Sequence, residues 1–200
     1  WESSVDNFVT TTAIVTGSDS LNESPTVSTK YRAVVQNGSC DPETSSEIEI
    51  IVNALPNATV IAAANICEGE QIAIGATDIT TSTYSWVASD PSYTWDPNQD
   101  TNANPSVDPL VTTSFTLTET VTATGCQQTN TVLITVNPAS TSGTINATAT
   151  EICEGSSTTL TLNGSIGTIL RWESSVDNFG AITTTTTSNI NLTASPTVDT

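Results

Sequence analysis

Apolar and polar residues alternate with a period of two along much of this chain. In SEIEIIVN, Ile48, Ile50 and Val52 fall on one side and Glu47 and Glu49 on the other. NTVLITVN repeats the pattern with Val132, Ile134 and Val136, TTLTLNG pairs Leu160 with Leu162, and YSW pairs Tyr84 with Trp86. Successive side chains of a strand point to opposite faces, so each stretch predicts a strand with one buried face. Asn37-Gly38, Asp96-Pro97 and Asn163-Gly164 fall between them as turn signals. EICEGSS has helix-compatible letters but is too short for a helix. Short strands at roughly 8–12-residue spacing, with a Trp on the strand after a Cys-bearing turn, predict an all-β, Ig-like β-sandwich.

The same landmarks recur at a period near 86 residues. Trp1, Trp86 and Trp172 are 85 and 86 apart, Cys40 and Cys126 are 86 apart, and so are Cys67 and Cys153. ANICEGE around Cys67 answers TEICEGS around Cys153. The octapeptide WESSVDNF occurs twice, at residues 1–8 and 172–179, so a 171-residue period spans two modules of different type. The reading is an alternating array cut out of phase. Residues 1–55 are the C-terminal part of a type A module, 56–138 a complete type B module, and 139–200 the N-terminal part of the next type A module. Because the chain opens inside an expected strand, the absence of a leader peptide carries no weight.

Charge narrows the partners. Lys30, Arg32 and Arg171 stand against 21 acidic residues and no His, a net charge of −18. Nucleic acid needs a basic footprint, and none exists. Anionic membrane surfaces are disfavoured for the same reason. No apolar run approaches the ~20 residues of a spanning helix, so direct membrane insertion is not expected. Ser and Thr supply about a third of the chain, a composition that raises disorder, but the alternation argues for folded strands. Four Cys with no Met and no His fit an oxidising, extracellular setting.

The segments EICEGSSTTLTL, LRWESSVDNF, TKYRAVVQNGSC and YTWDPNQDTNANPSVDP…TSFTLTETVTATGC resemble the Ig-like repeats of large secreted and surface proteins of Bacteroidota, gliding-motility adhesins among them. They cover nearly the whole chain. The resemblance implies type IX secretion cargo, long strings of modules that hold an adhesive or enzymatic tip away from the cell. It brings no catalytic residues to carry over.

The candidate sites are few. Cys67 and Cys126 are the expected intramodule disulfide, with Cys40 and Cys153 paired outside the segment; a bond from Cys67 forward into the next module is the alternative. Asp96, Asn98, Asp100 and Asn102 alternate like calcium ligands. Thr101 and Val107, however, occupy the places of the obligate Gly and bidentate Glu, so a solvated loop is the reading. Trp95 is the one Trp extra to the repeat and is the candidate ligand-stacking residue. Ser20, in Asp19-Ser20-Leu21, resembles a short O-glycosylation signal. Carboxylates read as scattered on outward faces, so no catalytic residue, metal or cofactor is expected and the segment is not read as an enzyme. The expected function is a stalk of a long extracellular fibre, its partners being neighbouring modules and, beyond them, surface glycans or other cells. A glycan-binding accessory module and a self-assembling filament subunit are the alternatives.

Overall fold

A computed structural model describes residues 1–15 and 17–196. Thr16 and the last four positions of the expected third module lie outside the described residues. The chain is all-β. Its first stretch contributes β1 (Glu2–Ser4), β2 (Thr12–Ala13), β3 (Thr29–Arg32), β4 (Val34–Val35), β5 (Glu43–Thr44) and β6 (Ile48–Ile50). The middle stretch contributes β7 (Ala64–Cys67), β8 (Ile72–Ala73), β9 (Ser82–Ala88), β10 (Ser106–Val107), β11 (Thr113–Val121) and β12 (Gln127–Asn137). The last contributes β13 (Thr144–Ala147), β14 (Thr158–Asn163), β15 (Trp172–Ser174), β16 (Thr183–Thr185) and β17 (Asn191–Ala194). A 3-10 turn, Gln99–Thr101, lies between β9 and β10. Among the described residues no helix is long and apolar enough to cross a membrane.

The middle stretch holds the most extensive core. One sheet has the order β7-β12-β11-β9, antiparallel except for the parallel pairing of β7 with β12. A second, formed by β8 and β10, faces it. Phe115 and Leu117 on β11, Val132 and Ile134 on β12, Trp86 on β9 and Ile66 on β7 close over Ile74 and Val107 from the facing layer. The period-two reading is realised here: β11 alternates buried and half-buried residues along its length. The chain switches layers as it enters. Ile61 donates its N–H to Ile74 O (3.1 Å), and only from Ala64 onward does the backbone pair with β12.

The first stretch forms a sheet β2-β1-β3-β6 with a small β4–β5 hairpin beside it. The last forms β13-β14-β17 and β15-β16. One expectation fails in the first stretch. Ile48, Ile50 and Val52 do share a face, but they are 62%, 45% and 36% exposed. In the middle stretch the corresponding β12 face packs into the core with Ala58 and Ile74. Among the described residues β6 has no such cover, and alternation by itself does not bury a face.

Candidate functional site

The three repeat tryptophans use one device. Trp86 Nε1 donates to Asn102 O (2.9 Å), Trp172 Nε1 to Asn189 O (3.1 Å) and Trp1 Nε1 to Ser18 O (3.4 Å). Each acceptor lies 16 or 17 residues downstream. A buried indole needs such a partner because an unmade hydrogen bond in an apolar setting is costly. Trp86 and Trp172 are buried.

The repeated octapeptide is a strand followed by a tight turn. Ser4 Oγ donates to Asp6 Oδ1 (2.7 Å) and accepts from the N–H groups of Asp6 and Phe8. Ser175 and Asp177 repeat this, with Ser175 Oγ donating to Asp177 Oδ1 (2.6 Å) and accepting from Phe179 N–H. Asn7, Phe8, Asn178 and Phe179 all adopt left-handed backbone, with φ between 58° and 63°. That conformation is unusual for a Phe, and the Ser and Asp hydrogen bonds hold it in place. The copies then diverge. Thr10 gives Asp6 both its hydroxyl (2.6 Å) and its N–H, and with Ser4 these bonds hold the carboxyl down at about 2. Asp177 meets Ala181, which has only an N–H to give; its pKa is also lowered, first by that bond and then by Ser175. Arg32 lies over the Phe8 ring at 4.1 Å while its guanidinium pairs with Glu2 (2.8 Å). Lys30 and Arg171 are likewise paired, with Glu47 and Glu173.

Trp95, the candidate ligand-stacking residue, packs at the rim of the core. Trp95 is half-buried and meets Tyr93 edge-on at 5.2 Å and Phe115 at 5.6 Å; Tyr93 and Phe115 are themselves 5.2 Å apart. Two neighbouring rings thus contact Trp95 at the rim of the core. The candidate calcium loop is a turn that satisfies its own backbone. Asn98 is left-handed, Gln99 N–H reaches Asp96 O, Asn102 O receives the Trp86 indole, and Asn102 Oδ1 receives Asn104 N–H. Among the described residues no three His, Cys, Asp or Glu side chains gather into a group that would hold a metal ion. Ser20 is exposed, its N–H bonded to Ser18 Oγ.

Glu119 corrects the expectation that carboxylates face outward. It is only 2% exposed, and its Oε2 accepts the Ala58 N–H (2.7 Å), while Oε1 has no partner. The signal was present in TSFTLTET, where period two puts residue 119 on the face of Phe115 and Leu117. Its residue type pointed to solvent and its register to the core. Functionally, it fastens the start of the middle unit to the sheet at the far end of β11.

The Cys67–Cys126 bond is also corrected. Cys126 immediately precedes β12, whereas Cys67 is the register partner of Asn137, its last residue. At about 3.3 Å per residue, the strand sets them roughly 35 Å apart, against at most ~7 Å between bonded Cα atoms. All four cysteines are free. The cause is the parallel pairing of β7 with β12, which sends the two turns to opposite ends of the sheet.

Residues 1–54 and 141–199 match the family described as Domain of unknown function (DUF8696), together more than half of the chain. The chain belongs to this family. The matched stretches are the two that carry WESSVDNF. No curated protein matches the chain.

Proposed function

We propose that this chain is a spacer segment of an extracellular array of Ig-like sandwich units. The observation that carries the reading is the path through the middle unit. The chain arrives at Ala58, anchored to Glu119, whose register partner is Gln128, and leaves at Asn137, at the other end of the same strand. Nine residues of strand at about 3.3 Å each separate arrival from departure by roughly 30 Å. A unit built this way adds its full length to whatever follows it.

Three further observations support the array. A four-stranded sheet facing the β8–β10 pair across one core supports a sandwich, the architecture of Ig-like units. The indole device occurs once per repeat, and the Thr148 N–H to Thr159 O bond (2.9 Å) joins the last stretch as Ile61 to Ile74 joins the middle one. In this reading residues 1–55 and 139–200 belong to type A units flanking one type B unit. The resemblance to Bacteroidota surface repeats makes the setting the cell exterior, with type IX secretion as the route. Residues 56–138 contain no Lys or Arg, so neighbouring fibres repel. With Trp95 engaged by its neighbours, the spacer reading is favoured over a glycan-binding one, and no enzymatic role is proposed.

Small-angle scattering on chains carrying one, two and three copies of the 171-residue period tests this. The maximum dimension should rise by about 6 nm per added period, at roughly 3 nm per unit. A dimension growing only with the cube root of mass would refute the spacer.

A further inference from the structure

We propose that successive units are stapled covalently, the Cys-Glu-Gly turn of one unit to the hairpin turn of the unit that follows; this rests on the array reading above. The four cysteines fall into two structural kinds. Cys67 and Cys153 occupy equivalent turns, in which Glu70 N–H reaches Cys67 O (3.0 Å) and Ser156 N–H reaches Cys153 O (2.9 Å). Gly69 and Gly155, with φ of 84° and 79°, allow both turns. Cys40 and Cys126 close the hairpins between β4 and β5 and between β11 and β12, beside left-handed Gly38 and Gly125. In the complete unit the first kind stands at the end where the chain leaves. The second kind stands at the end where it arrives.

That geometry forbids a bond within a unit and supplies one between units. In a head-to-tail array, the departing end of each unit meets the arriving end of the next. Each junction therefore brings together one cysteine of each kind. Exposure gives an independent argument. Cys40, Cys67 and Cys153 are exposed and Cys126 is half-buried. Cysteine is among the most buried residue types when it serves only to pack. Three exposed thiols, in turns that recur with a period near 86 residues, do no packing. Among the described residues neither cysteine turn belongs to a group of three or more His, Cys, Asp or Glu that could hold a metal ion.

The bond forms by thiol–disulfide exchange with an oxidised dithiol oxidoreductase. One cysteine thiolate attacks the donor disulfide, giving a mixed disulfide and releasing one donor thiol. The second cysteine thiolate then displaces the other donor sulfur. One S–S bond is made between the units, and the donor leaves as a dithiol carrying the two electrons and two protons.

The repeat itself supplies the test. Residues 1–171 are joined to a second complete copy, whose Trp1 takes the place of Trp172, and the chain is equilibrated in a glutathione redox buffer. Non-reduced peptide mapping should show Cys67 of the first copy bonded to Cys40 of the second, and Cys153 of the first to Cys126 of the second. Cys67→Ser should abolish the first linkage alone, with an unchanged circular dichroism spectrum to show that the fold survives. Free thiols throughout, a Cys67–Cys126 bond within one copy, or bonds only between separate molecules would each overturn the proposal. Scattering on the same sample separates the two layers of the argument. An elongated chain with free thiols defeats the staple alone, whereas a compact chain defeats the array.

Discussion

Truncating Trp95 to Ala separates a packing residue from a binding platform. The indole makes two edge-to-face contacts, with Tyr93 at 5.2 Å and with Phe115 at 5.6 Å. Such pairs are worth about 0.5–1.5 kcal/mol each beyond area burial, so roughly 1–3 kcal/mol is lost with the ring. A fully buried Trp→Ala change costs about 3–5 kcal/mol. Because Trp95 is only half-buried, about 2–4 kcal/mol is the expected total. In a unit of about 80 residues, each kcal/mol moves the midpoint by about 4–8 °C, so Tm should fall by something like 10–25 °C. Far-UV circular dichroism is the assay, since removing a Trp confounds fluorescence. Leu110→Ala, at a position 68% exposed, is the control and should change stability by less than about 0.5 kcal/mol. A loss below about 1 kcal/mol for Trp95→Ala would refute the packing assignment and return the ring to the list of free stacking surfaces.

Two further substitutions address local geometry. Gly75→Ala should be among the most damaging changes in the middle unit, because a Cβ there would sit 2.0 Å from Ala103 O and 2.9 Å from Asn104 Cα, both backbone atoms; a urea midpoint unchanged from wild type would contradict the β8–β10 packing. Thr10→Ala should raise the Asp6 pKa from about 2 while leaving it below the ordinary carboxylate value, as at Asp177, which faces Ala181. Since the folded pKa of Asp6 is depressed, its contribution to the turn is complete above the ordinary value near 3.8 and disappears as pH falls through about 2. Carboxyl carbon shifts of Asp6 and Asp177, followed by NMR from pH 6 to 1.5, measure both. Identical titrations for the wild type and Thr10→Ala would rule out the threonine as the cause.

What could be read in advance follows the range of the interaction concerned. Strand alternation is local, so Val132, Ile134 and Trp86 were legible as core from their spacing. Glu119 was equally legible by register, but its charge outweighed its position in the reading. The ends occupied by Cys67 and Cys126 depend on a parallel pairing between strands some sixty residues apart, and nothing in the local sequence announces it. Trp95 stands outside the repeat, so periodicity could not say whether it packs or binds. The octapeptide advertised its importance by recurring. Asn7 tolerates left-handed backbone as a turn residue, yet the left-handed Phe8 after it follows from the hydrogen bond to Ser4 and not from its own residue type.

The central claim is mechanical, and single-molecule stretching tests it most directly. Pulled between its ends, the chain should show one discrete rupture as the middle unit unfolds. About 80 residues at roughly 3.5 Å each, less about 3 nm of folded length, give a contour increment near 25 nm. A smooth extension without a force peak, or an increment far from that value, would contradict the reading of residues 56–138 as a closed, load-bearing unit.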